Sequence, residues 1–250
     1  KVHTYNLANC NFMPTSLATF VQSVRWETAV VADLNFSGAI IGNAATALVE
    51  AISSSSTLKF ITISKGLRLP LKDKFASDVL DASNRGIEPG GVAVIAWWLA
   101  TPAATDVNSV IVDSTGHTEL YGDSNAGGPQ TYTLRVGEEK MELSNKKLGS
   151  ADVNLVAAWL KRPEVMAVVA RLSLSGNFIT GSKEKRYVGS GDWEYDVDLS
   201  GLILLCDALL TLKNPIELDL SNCGLSVNGV NPIAKAISAG AEVARLILDE

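Results

Sequence analysis

The stretch IELDLSNCGL, residues 216–225, places apolar residues at alternate positions and then enters a short polar turn. Two other stretches have nearly the same form, VLDASNRGI from Val79 and KMELSNKKL from Lys140. In each copy a second apolar group follows at helical spacing, so each copy predicts a short strand, a turn and a helix. The recurrence indicates that the chain repeats one structural unit.

The same unit recurs along almost the whole chain. Its central apolar residues are Tyr5, Leu34, Ile61, Leu80, Val110, Met141, Leu172, Leu218 and Leu246. Most steps between these positions are 27 to 31 residues, with one short step of 19 and one long step of 46. A strand–helix unit of this length cannot bury its own apolar face, so neighbouring units must stack and share one core.

This pattern, apolar-x-x-apolar-x-apolar followed by Asn, Cys or a small residue, resembles the leucine-rich repeat family. The spacing of about 28 residues resembles the ribonuclease-inhibitor-like class of that family. The resemblance implies an α/β solenoid, or horseshoe, with a parallel β-sheet on the concave face and α-helices on the convex face. We expect residues 1–250 to form a single leucine-rich-repeat domain of about eight repeats and a truncated ninth. Because both ends cut through a repeat, we also expect a segment of a longer chain or a cap supplied by a neighbour.

Helices are predicted between the strands, near 14–23, 43–53, 90–101, 151–161, 198–211 and 229–239. Three segments depart from the repeat. The stretch 116–138 alternates Thr, Tyr and Val around a Gly-rich turn, which predicts a β-hairpin insertion. The long step contains a loop insertion near 181–197, and the short step after Ile61 has room for a loop but not for a full helix.

The composition excludes several kinds of partner. The chain has 21 Lys and Arg against 27 Asp and Glu, a net charge of −6, which argues against a nucleic-acid partner. No apolar run is long enough to span a bilayer, so we expect no direct membrane insertion. Three cysteines in 250 residues do not make a disulfide framework, which favours an intracellular, reducing compartment.

The sequence contains no catalytic constellation. His3 and His117 have no Cys or acidic residue at metal-ligand spacing, and no Gly-rich loop has nucleotide-binding spacing. We therefore expect a protein without enzyme activity, cofactor, metal or small-molecule substrate. Alternating carboxylates in the loop insertion are a candidate calcium set, if that backbone is extended: Asp192, Glu194, Asp196 and Asp198. We favour the alternative, an exposed acidic loop paired with the basic run at 183–186.

Alternation within the strands predicts which side chains face the concave surface. This face has mixed charge and an apolar patch from Phe60 and Val79, and it suits a protein partner better than a polyanion or a lipid. Its candidate partner-binding residues are Asp33, Asn35, Phe60, Thr62, Val79, Asp81, Lys140, Glu142, Arg171, Ser173, Glu217 and Asp219. In the loop insertion, Trp193 and Tyr195 are candidate aromatic anchors.

These observations predict a non-catalytic protein–protein interaction or scaffold module that binds a protein partner through its concave face or its insertions. The alternative is an architectural subunit of a large multiprotein complex, which contacts its neighbours through convex helices and loops. An enzyme on a repeat scaffold is the third interpretation. Strand positions that are merely solvated would also account for the mixed face.

Overall fold

The structure, a computed structural model, describes residues 3–10, 12–116, 128–184 and 193–248. The fold is mixed α/β, with several sheets that contain parallel strands. The chain divides into two compact units, Lys1–Val110 (unit 1) and Ile111–Glu250 (unit 2), with the boundary inside a strand. The expectation of a single domain of stacked repeats stays a prediction.

Unit 1 begins with two strand–helix steps and continues into a strand pair, a further strand and a helix. Its strands are β1 (Thr4–Asn6), β2 (Asp33–Asn35), β3 (Phe60–Ser64), β4 (Leu67–Pro70) and β5 (Val79–Asp81). Its helices are α1 (Pro14–Ser23), α2 (Ala45–Ser54) and α3 (Pro89–Leu99), with 3₁₀ turns at Gly42–Ala44 and Pro102–Ala104. β1, β2 and β3 are parallel, with Tyr5 beside Leu34 and Leu34 beside Ile61. Residues equated by the sequence repeat are therefore paired in the sheet.

Unit 2 contains a longer parallel ladder. Its strands are β6 (Ser109–Asp113, which begins in unit 1), β7 (Thr131–Arg135), β8 (Lys140–Glu142), β9 (Arg171–Ser173), β10 (Lys183–Glu184), β11 (Trp193–Glu194), β12 (Ile216–Asp219) and β13 (Val243–Ile247). Its helices are α4 (Ser150–Leu160), α5 (Pro163–Met166), α6 (Ser200–Leu209) and α7 (Val227–Ser238). β8, β9, β12 and β13 are parallel neighbours in that order. The register again pairs repeat-equivalent residues: Met141 with Leu172, Leu172 with Leu218 and Leu218 with Leu246.

All six predicted helices are found in the predicted order, and every end lies within two residues of its predicted position. Pro14 and Pro89 are the first residues of α1 and α3, where the missing N–H of proline costs no hydrogen bond. α4 packs against α6 and α6 against α7. Met141, Leu172 and Leu218 are buried on the face of the sheet that these helices cover, so the core of unit 2 lies between them.

Two additional strands, β4 and β7, interrupt the predicted repeat. In the short step, where only a loop was predicted, β4 returns antiparallel to β3 with Ile61 beside Leu69. In unit 2, β7 lies beside β6, and the Ser114 N–H donates to the carbonyl oxygen of Gln130 at 2.9 Å. β7 lies within the hairpin predicted at 116–138, and the first strand of that prediction falls on residues 117–127, which lie outside the described residues.

The predicted loop insertion near 181–197 contains a short antiparallel pair. β10 and β11 pair with Lys183 beside Glu194 and Glu184 beside Trp193. Residues 185–192, which include Asp192, lie outside the described residues. The described part of the insertion is therefore a pair of short strands. It places Trp193 beside Phe178, which follows β9, and Tyr195 beside Trp193.

A buried asparagine, Asn177, links by hydrogen bonds the segments that follow the neighbouring strands β8 and β9 of unit 2. The Asn177 Oδ1 accepts from the backbone N–H groups of Lys146 and Leu148, at 2.9 and 3.0 Å. Its Nδ2 donates to the carbonyl oxygens of Leu143 and Leu174, at 2.9 and 2.7 Å. One side chain thus satisfies backbone groups that follow two neighbouring strands, which offsets the cost of burying them.

Two other residues at the same repeat position bond to the preceding coil in a similar way. The Cys223 thiol donates to the carbonyl oxygen of Leu174 at 3.3 Å. At the surface, the Arg85 guanidinium donates to the carbonyl oxygens of Asp81 and Lys65, at 3.1 and 2.8 Å.

Acidic side chains hold the helix N-termini of each unit. In unit 1 the Glu88 carboxylate, just before α3, accepts from four backbone N–H groups: Ile41 at 3.1 Å, Gly42 at 3.0 Å, and Gly90 and Gly91 at 2.9 Å each. A Cβ at Gly90 would overlap the backbone of Gly42, so glycine permits this approach. The carboxylate therefore joins the start of α3 to the turn that precedes α2.

In unit 2, Asp152 has the corresponding role and is fully buried. Its Oδ2 accepts from the N–H and the hydroxyl of Thr115, at 2.8 and 2.7 Å, and from the Gly149 N–H at 2.8 Å. Its Oδ1 accepts from the Tyr132 hydroxyl at 2.9 Å. Burial raises the pKa of Asp152 although these donors oppose it, and burial together with the Asp152 charge raises the pKa of Tyr132 well above its ordinary value.

Candidate protein-binding surface

The open face of the β8–β9–β12–β13 sheet displays two columns of residues. The register places Lys140, Arg171, Glu217 and Arg245 in the first column, and Glu142, Ser173, Asp219 and Ile247 in the second. The apolar residues between them point into the core, so the columns lie on the opposite face. Six of the twelve predicted partner-binding residues are thereby brought together in unit 2.

Arg171 lies at the centre of this face and contacts three carboxylates. Its Nε is 3.0 Å from Glu142 Oε1, its Nη1 is 3.2 Å from Glu217 Oε2, and its Nη2 is 3.7 Å from Asp219 Oδ2. Glu142 and Asp219 belong to the second column and Glu217 to the first, and the side chains remain partly exposed. The charges of the face are therefore arranged in a fixed pattern before any partner arrives.

Serine hydroxyls extend the network across the strands. Ser173 donates to Asp219 Oδ2 at 3.2 Å and lies 2.7 Å from the hydroxyl of Ser144. Ser221 donates to Asp219 Oδ1 at 2.7 Å. Burial alone would raise the pKa of Asp219, but the hydrogen bonds from Ser221 and Ser173 and the Arg171 charge outweigh it and lower the pKa. Asp219 is thus held as a carboxylate at neutral pH.

In unit 1, the predicted residues Asp33, Asn35, Phe60 and Thr62 share the face of β2 and β3. A residue that the sequence reasoning missed, Arg68 on β4, covers two of them. Its Nη2 is 2.7 Å from Asp33 Oδ2, and its guanidinium lies 3.5 Å from the centre of the Phe60 ring. The apolar–polar alternation of Leu67, Arg68 and Leu69 was the signal that could have identified this strand.

Val79 and Asp81 lie on β5, separate from that group. The neighbour of β3 is β4 and not β5, so β5 does not extend the ladder that carries Phe60, and the apolar patch of Phe60 and Val79 stays a prediction. Asp81 accepts from the hydroxyl and the N–H of Ser83, at 2.7 and 3.0 Å, and these hydrogen bonds lower its pKa. β5 is therefore followed by a polar turn.

The insertion contributes two rings, Trp193 and Tyr195, to a row of three aromatic rings that begins at Phe178. The Phe178 and Trp193 rings are 5.4 Å apart, and Trp193 and Tyr195 are stacked 6.2 Å apart at an interplanar angle of 27°. Tyr195 is half exposed, whereas Trp193 is partly buried. Tyr195 is thus the more accessible of the two predicted aromatic anchors.

The described members of the candidate calcium set point to different partners. Glu194 lies 3.6 Å from Lys183, and Asp198 accepts from the Ser200 N–H at 2.9 Å. Asp196 has a positive φ of 55°, so the backbone here is not extended. Its Oδ2 accepts from Ser226 and Gly229 at the start of α7. Within the described residues no three His, Cys, Asp or Glu side chains form a group that could hold a metal ion, and Asp192 lies outside them.

Two shallow depressions flank β8. One, of about 490 Å³, is lined by Lys140, Glu142, Ala170, Arg171, Pro215, Glu217 and Ala244. The other, of about 300 Å³, lies between β7 and β8. Both include Lys140 and Glu142, so the open face is indented at its β8 margin.

Comparisons with known proteins add no family. No protein-family model matches the sequence, and a search of curated proteins found none that is significantly similar. In the described part of the chain, no helix has the length and apolar character to cross a membrane. Functional inference therefore depends on the repeat, the register and the side-chain network.

Proposed function

We propose that the chain is a non-catalytic protein-interaction module of the leucine-rich repeat type, with a ribonuclease-inhibitor-like solenoid. The proposal is supported by the register, because central apolar residues equated by the repeat pair directly in both units. It is also supported by Asn177 and Cys223, which bond to the preceding coil from the position where the family has Asn or Cys. In such a solenoid the open sheet face is concave and carries the binding surface.

The Arg171 network is the single observation that favours the open face of unit 2 as the binding surface. A guanidinium held by three carboxylates loses little side-chain freedom when a partner binds, so the entropy cost of binding is reduced. The face combines positive and negative charges, which select a partner of complementary pattern and disfavour a uniformly charged polymer. The partner is therefore a folded protein or a protein segment.

A variant of the open face tests this function. Arg171→Gln combined with Arg245→Glu changes two residues of the first column. We expect a protein partner that the wild type captures from cell extract to bind this variant about tenfold more weakly. The captured partner is identified by mass spectrometry and its affinity for each purified variant is measured by calorimetry. Unchanged circular dichroism and urea midpoint establish that the variant is folded.

The matched control changes the helix side of the same unit. Ile203 and Leu210, seven residues apart on and just after α6, are 46% and 43% exposed, and they favour the second candidate function, an architectural subunit. If Ile203→Ser with Leu210→Ser abolishes binding while the open-face variant retains it, the architectural subunit replaces the proposed function. Retention of binding by both variants contradicts both candidates.

The cysteines support a reducing intracellular compartment as part of the proposal. Cys10, Cys206 and Cys223 are all free thiols. Burial raises the pKa of Cys206 to about 11 and that of Cys223 to about 12, so both stay protonated at neutral pH. Protonated, buried thiols act as small apolar side chains and need no oxidising environment.

A further inference from the structure

The open face of unit 2 ends at a break in the sheet. β7 has β6 as its neighbour, β8 has β9, and no ladder pair joins β7 to β8 among the described strands. The two strands are consecutive, with only residues 136–139 between them. Two strand edges therefore lie beside the same depression without hydrogen bonding to each other.

The backbone groups of β8 that face this depression follow from its pairing with β9. The Glu139 carbonyl accepts from the N–H groups of Ala170 and Arg171, and the Leu143 N–H donates to Ser173. Residues 139, 141 and 143 thus face β9. Because backbone groups alternate along a strand, those of Lys140 and Glu142 face the opposite edge, towards β7.

The same reasoning identifies the free edge of β7. The Gln130 carbonyl accepts from Ser114, so even-numbered residues of β7 face β6. The backbone groups of Thr131, Thr133 and Arg135 therefore face β8. An edge strand with unpaired N–H and C=O groups is a template on which another strand can pair.

The depression between these edges has the size of a short extended segment. Its volume is about 300 Å³, and residues of both strands line it, among them Thr131, Thr133, Lys140 and Glu142. β8 has three residues and spans about 10 Å, because an extended chain rises about 3.3 Å per residue. A strand of about three residues would match the free edge of β8.

Charges at the depression specify the partner. Arg135 pairs with Glu138 at 3.5 Å, and Glu142 pairs with Arg171 at 3.0 Å. Lys140 and Lys146 also line the depression, and neither has a carboxylate within ion-pair distance among the described residues. Two lysines without acidic partners favour a ligand that brings carboxylates.

We propose that the depression between β7 and β8 binds an extended, acidic segment of a partner protein by β-strand addition. This inference rests on the proposed function and specifies its recognition mode: main-chain hydrogen bonds to both edges supply affinity, and Lys140 and Lys146 select acidic side chains. The segment lies between two strands that otherwise belong to separate sheets.

A library of random dodecapeptides displayed on phage, selected on the wild-type protein, tests the proposal. We expect the recovered peptides to alternate Asp or Glu with β-branched residues, since one face of the strand meets the lysines. Lys140→Glu with Lys146→Glu should weaken their binding about tenfold, whereas Lys235→Glu on α7 should leave it unchanged. Recovery of no peptide, or of peptides that bind both variants equally, overturns the proposal.

Backbone substitution in the peptide separates strand addition from simple charge attraction. We expect N-methylation of either alternate set of residues in the bound segment to weaken binding, because one set pairs with β7 and the other with β8, whereas N-methylation outside that segment should leave binding unchanged. In the protein, the Lys140 and Glu142 amides should exchange rapidly when free and become protected with peptide. Protection of both amides in the free protein overturns the proposal, because the edge is then already filled.

The two proposals fail in distinguishable ways. Peptide binding is tested with the variant of Lys140 and Lys146, whereas capture of a protein partner is tested with the variant of Arg171 and Arg245. Loss of partner capture with intact peptide selection contradicts only the open-face function. Failed peptide selection with intact partner capture contradicts only strand addition.

Discussion

Asn177 shows how one side chain can join the segments that follow two neighbouring strands, β8 and β9. It is 1% exposed and forms hydrogen bonds with backbone groups on both sides of a coil boundary. The repeat in the sequence predicted this position, since small polar side chains recur there. The individual partners could not be predicted, because they depend on how closely the neighbouring coil approaches.

Replacement of Asn177 by Ala should lower the free energy of unfolding by about 2 to 4 kcal/mol. The substitution removes the Asn177 hydrogen bonds from the N–H groups of Lys146 and Leu148 and from the carbonyl of Leu143, and leaving such groups unsatisfied is costly. The Leu174 carbonyl keeps the hydrogen bond from Cys223. Urea denaturation of the wild type and the variant measures the difference. Asn154→Ala, on α4, is the control and should change stability by less than about 0.5 kcal/mol. Equal effects of the two substitutions would contradict the ladder role of Asn177.

Asp152 gives a pH-dependent prediction. Burial raises its folded-state pKa above the ordinary value of 3.8, so the folded chain binds this proton more tightly than the unfolded chain. Stability from this carboxyl therefore rises as the pH falls through the folded-state pKa, and it is complete below the unfolded-state pKa. Asp152→Asn has a similar shape but does not titrate. The free energy of unfolding of the wild type minus that of the variant should increase from about pH 7 to about pH 4. A flat or decreasing difference in urea titrations at successive pH values would refute this assignment.

At the scale of elements, Glu88 fixes the start of α3 against the turn before α2. Glu88→Ala removes the acceptor of four half-buried amides and should lower the free energy of unfolding by about 2 kcal/mol. Glu88→Gln, which keeps one acceptor oxygen, should fall between the wild type and Ala. Glu50→Ala, an exposed position on α2, is the matched control for urea denaturation. A Gln variant no more stable than Ala would argue against the hydrogen bonds as the cause.

Six of the helices were predictable from sequence, whereas the short helix α5 and the antiparallel strand β4 were not. Each of the six has apolar residues at helical spacing over ten or more residues, and several begin at Pro or end before it. β4 has only four residues and ends at Pro70, a pattern that also suits a loop. Its pairing with β3 is a nonlocal contact, which hydrophobic periodicity alone does not specify.

At the scale of the whole molecule, the repeat predicted how the central apolar residues pair in the parallel ladders β1–β2–β3 and β8–β9–β12–β13. It therefore also predicted which side chains share the open face of unit 2, because register and alternation together determine the columns. It did not predict that Arg171 contacts three carboxylates or that Arg68 covers Phe60. Those contacts depend on side-chain conformations and, for Arg68, on a strand that the repeat does not contain.

The missing ladder between β7 and β8 also affects how unit 2 opens in solution. Cooperative opening spreads through hydrogen-bonded neighbours, and regions that open together form a foldon. Transient opening of β6 and β7 can therefore occur while β8, β9, β12 and β13 stay closed. A strand bound between β7 and β8 would join the two foldons. Ligand binding would then slow amide hydrogen exchange at residues far from the ligand.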